Sequence, residues 1–209
     1  ALNCVANGKI LKEKLFDNIW IQPAAGDAGG SLGAALAYWF QELNNDRKIN
    51  KIDSMKGSYL GPKFENSLIE KELLSLNANF KKYSEDELIK ILANELSKEK
   101  TVGWFQGRME FGPRALGSRS ILADPRSEKM QKQLNLKVKF RESFRPFAPS
   151  ILAEDVNKWF DLEVPSPYML LVAEIKKDIQ ISMTSEQNKL FGIDKLNIKR
   201  SKIPSVTHV

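Results

Sequence analysis

The chain has 209 residues, 42% of them hydrophobic, enough for one large domain or two modest ones around a true core. No apolar run approaches the ~18 residues of a membrane span and no charged-then-apolar leader opens the chain. A single cysteine, Cys4, excludes an internal disulfide framework and fits a reducing cytoplasm, while the net charge of +6 suits an anionic partner, either nucleic acid or a phosphorylated small molecule.

The chain opens on ALNCVANG without a methionine and closes on KIPSVTHV, which reads as a strand with no closing element. Both ends are expected to lie inside a longer protein. IWIQ at 19–22 is a β-branched and aromatic run stopped by Pro23, and predicts a short buried strand. AAGDAGG follows, and SLGAALAYWFQEL predicts a helix from Ser31, which can act as its N-cap. Residues 44–58 are polar, charged and aperiodic, and read as a linker.

YLGPKF opens a new unit. ENSLIEKELLSLN carries helical spacing in Leu68, Ile69, Leu73 and Leu74, and SEDELIKILANELSKE repeats it behind a capping box of Ser84 and Glu87. TVGWFQG predicts a strand, RSILADP another, SEKMQKQLN a helix, FAPSILA a strand, EDVNKWF a short helix and PYMLLVAEI a strong strand. Strands alternating with helices argue an α/β domain with a mixed sheet. Residues 177–202 are rich in lysine and polar residues and read as a mobile loop.

Arginine is distributed unevenly. Of eight arginines, six (108, 114, 119, 126, 141 and 145) fall within 38 residues, while 24 lysines spread along the whole chain. Solubility needs only lysine; the planar fork of arginine binds carboxylate or phosphate bidentately. In GRMEFGPRALGSRS, Gly107, Gly112 and Gly117 let the backbone turn and approach a ligand. LKVKFRESFRPFAPS adds Lys137, Lys139, Arg141 and Arg145. Three readings fit: small-anion capture, which leads; a solvated basic face; and a nucleic-acid groove, with Phe111, Phe140, Phe144 and Phe147 between the basic residues. The phenylalanines alternate as core residues of short strands would, which counts against the groove.

GDAGGSLGAAL ends the first predicted strand and opens a helix, a natural seat for a nucleotide phosphate or ribose. Asp27 suits a metal, a ribose or a helix cap equally well, and Gly29 and Gly30 suit a nucleotide or close packing. Cys4 and His208 cannot build a zinc site by themselves and form no nucleophile pair. Cys4 is read as a small core residue, and His208 as a packing or surface residue more readily than a ligand contact.

ALNCVANGKIL, IWIQPAAGDAGGSLGAAL, YLGP, GWFQGRMEFGPRALGSRSILADPR, LNLKVKFRESFRPFAPSIL, SPYMLLV and RSKIPSVTHV together resemble, in order, the NodU/CmcH-type O-carbamoyltransferases. The resemblance implies a two-part α/β protein: residues 1–50 as the tail of an actin-like, sugar-kinase-type ATPase domain, and residues 51–209 as most of a YrdC-like domain. It implies that carbamoyl phosphate and ATP give a carbamoyl-adenylate, whose carbamoyl group passes to an acceptor hydroxyl on a sugar or secondary metabolite. Arg114, Lys139 and Arg145 match the basic residues that hold carbamoyl phosphate and nucleotide phosphates. Asn3, Gly29 and Gly30 resemble nucleotide contacts, with Arg108, Arg119 and Lys137 as further candidates that equally suit bracing through Glu110 or Glu142.

Asp27 resembles the aspartate ligand of a divalent metal, iron or magnesium, whose two histidine ligands lie upstream of this chain. The implied partners are carbamoyl phosphate, ATP, a hydroxyl-bearing small molecule and the N-terminal part of the parent protein. A homodimer is an open option, and neither a membrane nor nucleic acid is expected. An RNA-binding module and a non-catalytic YrdC-like fragment are the alternatives.

Overall fold

The computed structural model describes residues 1–50 and 52–207; His208 and position 51, where the second predicted domain begins, lie outside them. The described chain mixes helices with short strands and separates into two units. The first comprises Ala1–Lys82, Trp104–Ser120 and Ser166–Val172, the second Tyr83–Gly103, Ile121–Pro165 and Ala173–Val209.

In the first unit, helix α1 (Cys4–Lys12) starts from Asn3, whose side-chain oxygen accepts the amide of Ala6 at 3.1 Å. Helix α2 (Asp27–Ala37) follows Gly26 as its N-cap and runs on into a wider turn over Tyr38–Glu42. The helix therefore starts four residues before the expected Ser31, whose hydroxyl instead donates back to the Ala28 carbonyl at 2.8 Å. The expected strand at 19–22 does not form: the segment has no pairing partner among the described residues, and Trp20 is 74% exposed. Helix α3 (Asn66–Ser75) forms where its periodicity places it.

In the second unit, helix α4 (Glu85–Ser97) carries the expected capping box between Ser84 and Glu87. Strands β1 (Val102–Phe105) and β2 (Arg119–Leu122), whose residues the division into units splits, pair as a two-stranded sheet. Helix α5 (Met130–Gln133) widens into a π-type turn over Leu134–Val138. After helix α6 (Val156–Trp159), strands β3 (Phe160–Asp161) and β4 (Glu174–Ile175) pair antiparallel. Ile175, Ile179 and Ile203 form a buried cluster against Trp159, Phe160 and Val206.

Among the described residues the strands form two two-stranded sheets instead of one mixed sheet. FAPSILA forms no strand; Pro149 lies within it and Pro146 directly before it, and neither can donate to a ladder. PYMLLVAEI is paired only at its last two residues, and the chain end makes a single helical turn over Pro204–Val206 in place of a strand. The 177–202 stretch holds two short helices, α7 (Ser185–Asn188) and α8 (Gly192–Leu196), and Ile179 in the core, so it is not one irregular loop. No helix among the described residues is long and apolar enough to cross a membrane.

Candidate anion site

Gly107, Gly112 and Gly117 all have positive φ, at +61°, +102° and +117°. These are conformations that side-chain-bearing residues adopt only with strain. The glycines fold the arginine segment onto Glu110, which is 4% exposed. One carboxylate oxygen of Glu110 accepts the amides of Leu116 at 2.6 Å and Ser118 at 2.8 Å, and the other accepts Arg119 Nε at 2.9 Å. Burial alone pushes the Glu110 carboxyl up, but the Arg119 guanidinium and those two amides outweigh it and hold the pKa at about 2. Arg119 also donates to the carbonyls of Glu110 and Gly112.

Arg119 is therefore a brace of the turn. Arg108 is exposed and donates to the Gly61 carbonyl at 2.7 Å, clasping the YLGP segment against the turn. Arg114 is different. Its Nη2 donates to the Leu2 carbonyl at 2.8 Å, no carboxylate pairs with it among the described residues, and its buried Nε has no hydrogen-bond partner. It lines a small cavity with Leu2, Pro23, Ser58, Phe111 and Tyr168. Such a group, half-buried and charged in all conditions, is available to an anion that offers it oxygen acceptors.

The candidates from the first segment take other roles in this geometry. Asn3 caps α1. A Cβ at Gly29 would lie 2.4 Å from the Ala24 carbonyl oxygen, so this glycine is required by close packing. Gly30 faces open space. Asp27 is exposed in the first turn of α2. No three His, Cys, Asp or Glu side chains gather into a metal-binding group among the described residues. Asp27 is a lone carboxylate, and the residues present do not fit a metal ion by themselves.

Lys137, Lys139 and Arg145 lie in the second unit, and Arg114 in the first. Asn135, fully buried, organises their turn: its amide donates to the carbonyls of Ser143 and Arg145 at 3.0 and 2.9 Å, and its oxygen accepts Arg141 Nε at 2.6 Å. Arg141 stacks over the Phe147 ring at 5.1 Å. Arg145 pairs with Glu142 at 3.0 Å on an exposed surface, a pair that an incoming anion can displace at little cost. Lys137 and Lys139 are exposed. Phe140 is 85% exposed and Phe144 is also exposed, so neither is the core residue that strand alternation implied.

The roles of Asp53, Tyr59 and Tyr168 in the first unit escaped the sequence reading. Tyr168 donates to Asp53 and accepts the amide of Gly57 at 3.0 Å, pinning the turn that ends the supposed linker. Burial and the Asp53 carboxylate raise its phenol to about 12. Tyr59 donates to the Leu116 carbonyl at 2.7 Å, and Phe111 donates its amide to the Ser58 carbonyl at 2.6 Å. The 53–59 segment is thus the outer support of the arginine turn. Its one local signal was Asp53 two residues before Met55, whose amide it caps at 2.9 Å.

Comparison with known proteins agrees with the resemblance in the motifs. The carbamoyltransferase C-terminus profile matches residues 93–209, and the carbamoyltransferase N-terminus profile matches residues 1–36. The chain is 58% identical over its full length to sll1178 of Synechocystis sp., of which it covers 34%. It is 41% identical over 85% of its length to nodulation protein NolO of Bradyrhizobium diazoefficiens, covering 32% of that protein. It is 34% identical over 84% of its length to nodulation protein U of Rhizobium fredii, covering 27%. The chain thus spans about a third of the length of the curated relatives it matches. With the two profiles in order and the arginine turn intact, this chain belongs to the carbamoyltransferase family.

Proposed function

We propose that the protein is part of an ATP-dependent O-carbamoyltransferase. Residues 1–50 are assigned to the tail of an actin-like domain, and residues 51–209 to a YrdC-like domain. Carbamoyl phosphate, water and ATP give a carbamoyl-adenylate with release of phosphate and pyrophosphate, and the carbamoyl group then passes to the hydroxyl of a sugar or secondary metabolite with release of AMP. Catalysis of the first step is charge neutralisation and positioning, which fixed arginines and a lysine supply. Arg114 binds a phosphate group of the substrates. Lys139 and Arg145 are assigned to the same substrates, Arg145 exchanging Glu142 for phosphate oxygens. Arg108 and Arg119 act through the backbone of the turn and not on the ligand.

The observation that carries this reading is Arg114. Of the three arginines in the turn, it alone keeps a buried guanidinium nitrogen with no hydrogen-bond partner among the described residues. Asp27 is assigned as one ligand of a divalent metal whose remaining ligands this chain does not hold, and no step is attributed to that metal. The exposed Leu36, Tyr38 and Trp39 of α2 and its following turn suit cover by further polypeptide of the same protein.

The test is release of pyrophosphate from ATP, measured without acceptor and with or without carbamoyl phosphate. Release that requires carbamoyl phosphate and disappears in Arg114→Ala is expected. Release independent of carbamoyl phosphate contradicts the reading.

A second reading has one observation behind it. The exposed ring of Phe140 stands in sequence beside Lys137, Lys139 and Arg141, as a base-stacking platform in a basic groove would. Under it, single-stranded RNA binds with a steep salt dependence, and Phe140→Ala weakens it.

A further inference from the structure

Lys56, Gly57 and Ser58 follow one another at positive φ, +49°, +69° and +66°, and only the middle residue is glycine. Lysine and serine enter this region against the clash of Cβ with the backbone, so the conformation persists only where the surroundings impose it. Here they do. Asp53 accepts the Met55 amide at 2.9 Å, and Tyr168 accepts the Gly57 amide at 3.0 Å while donating to Asp53. The Ser58 amide donates to the Met55 carbonyl at 2.7 Å, and the Ser58 carbonyl accepts the amides of Leu60 and Phe111 at 2.7 and 2.6 Å. None of these bonds uses the Ser58 side chain. Ser58 is 2% exposed, and its hydroxyl makes no hydrogen bond among the described residues.

The strained turn places Ser58 in the lining of the Arg114 cavity, where the only other polar side chains are Arg114 and Tyr168. A guanidinium donates and never accepts. The Tyr168 hydroxyl is committed to Asp53 and to the Gly57 amide. The carbonyls of Leu2, Ser58 and Leu116 are already occupied by Arg114, by two amides and by Tyr59. Ser58 Oγ is thus the one side-chain atom of the lining with an open acceptor position among the described residues. It suits a ligand that brings an N–H group close to the group held by Arg114. In carbamoyl phosphate an NH₂ and a phosphate are separated by a single carbon and its bridging oxygen. The amino group of adenine lies a ribose away from the nearest phosphate and does not meet this demand.

We propose that Ser58 is a specificity-determining residue: its Oγ accepts an N–H of the carbamoyl amide while Arg114 holds the phosphate of the same molecule. This rests on the reading of Arg114 given above and adds a reason for the site to prefer a carbamoyl over an acyl group. Acetyl phosphate has nearly the same size, with a methyl group where carbamoyl phosphate has its NH₂. A site that gives an N–H its acceptor rejects the analogue that brings a methyl group instead, because the buried hydroxyl is then shut away unpaired.

The test is calorimetric titration of the wild type, Ser58→Ala and Ser58→Gly with carbamoyl phosphate, acetyl phosphate and inorganic phosphate. The wild type is expected to bind carbamoyl phosphate about tenfold or more tightly than acetyl phosphate. In both variants that ratio is expected to fall to about one through weaker binding of carbamoyl phosphate, with the affinity for inorganic phosphate unchanged. Ser58→Gly takes the positive φ without strain and keeps the turn, so it reads the hydroxyl even where Ser58→Ala unfolds. Equal wild-type affinity for carbamoyl and acetyl phosphate, or a ratio unchanged in Ser58→Gly, overturns the role of Ser58 and leaves that of Arg114 intact. Loss of all three ligands by the same factor in Ser58→Gly also overturns it, because the serine then serves the turn or the phosphate. A wild type that binds none of the three overturns the Arg114 reading, and this one with it.

Discussion

Replacing Glu110 by glutamine keeps the shape of the side chain at the centre of the arginine turn and removes its charge. In the fold, the carboxyl pKa falls from an ordinary 4.5 to about 2. At 1.36 kcal/mol per pH unit, that fall corresponds to about 3 kcal/mol of folding stability at neutral pH. The sign follows from the depressed pKa: the contribution is complete above about pH 4.5 and is lost as pH falls towards 2. In Glu110→Gln the amide oxygen can still accept Leu116 and Ser118, but an NH₂ group then meets Arg119 Nε, donor against donor. Arg119 retains the Glu110 and Gly112 carbonyls and is a third exposed, which limits the loss to about 2–3 kcal/mol. Urea denaturation of both proteins at pH 7, 4.5 and 3 reads this directly. The wild type is expected to be more stable at pH 7 and the gap to narrow as pH falls. Equal midpoints at pH 7, or a gap independent of pH, would refute the role given to Glu110.

Gly112→Ala places a Cβ 2.5 Å from that of Ala24 at φ +102°, and a loss of about 3 kcal/mol or more is expected in the same denaturation assay. Gly29→Ala and Gly30→Ala should separate in sign. The first meets the Ala24 carbonyl oxygen at 2.4 Å and destabilises, while the second meets nothing within 4 Å and stabilises α2 by about 0.5–1 kcal/mol. Ser84→Ala removes the hydroxyl half of the α4 capping box, leaving the residue 84 amide on Glu87, and should cost about 1 kcal/mol, visible as a lower urea midpoint.

What could be read from the sequence was what neighbouring residues decide among themselves. The capping box of Ser84 and Glu87 is complete within four residues, and the helix behind it has one apolar stripe, so α4 was legible. The three glycines of the arginine turn announced its positive φ angles for the same reason. What depended on distant partners was not legible. IWIQ has the composition of a strand, but a strand needs a neighbour, and none pairs with it here. Helix α2 starts at Asp27, with Gly29 close against the Ala24 carbonyl, where the sequence offered Ser31 as the cap.

At the candidate site, the sequence identified the three arginines but could not divide their roles. That Arg119 braces Glu110, that Arg108 clasps Gly61 and that Arg114 keeps a free Nε depends on which acceptor each guanidinium reaches in space. Phe140 was misread because alternation implies burial only in a paired strand, and its segment forms a turn. Tyr168 and Asp53, 115 residues apart, meet only once the chain is folded.

The central claim is that Arg114 receives a phosphate group. Calorimetric titration of the protein with carbamoyl phosphate, in the wild type, Arg114→Ala and Arg114→Lys, tests it most directly. Saturable binding in the wild type, abolished in the alanine variant and weakened in the lysine variant, is predicted. Binding of undiminished affinity in Arg114→Ala, or none in the wild type, would contradict it.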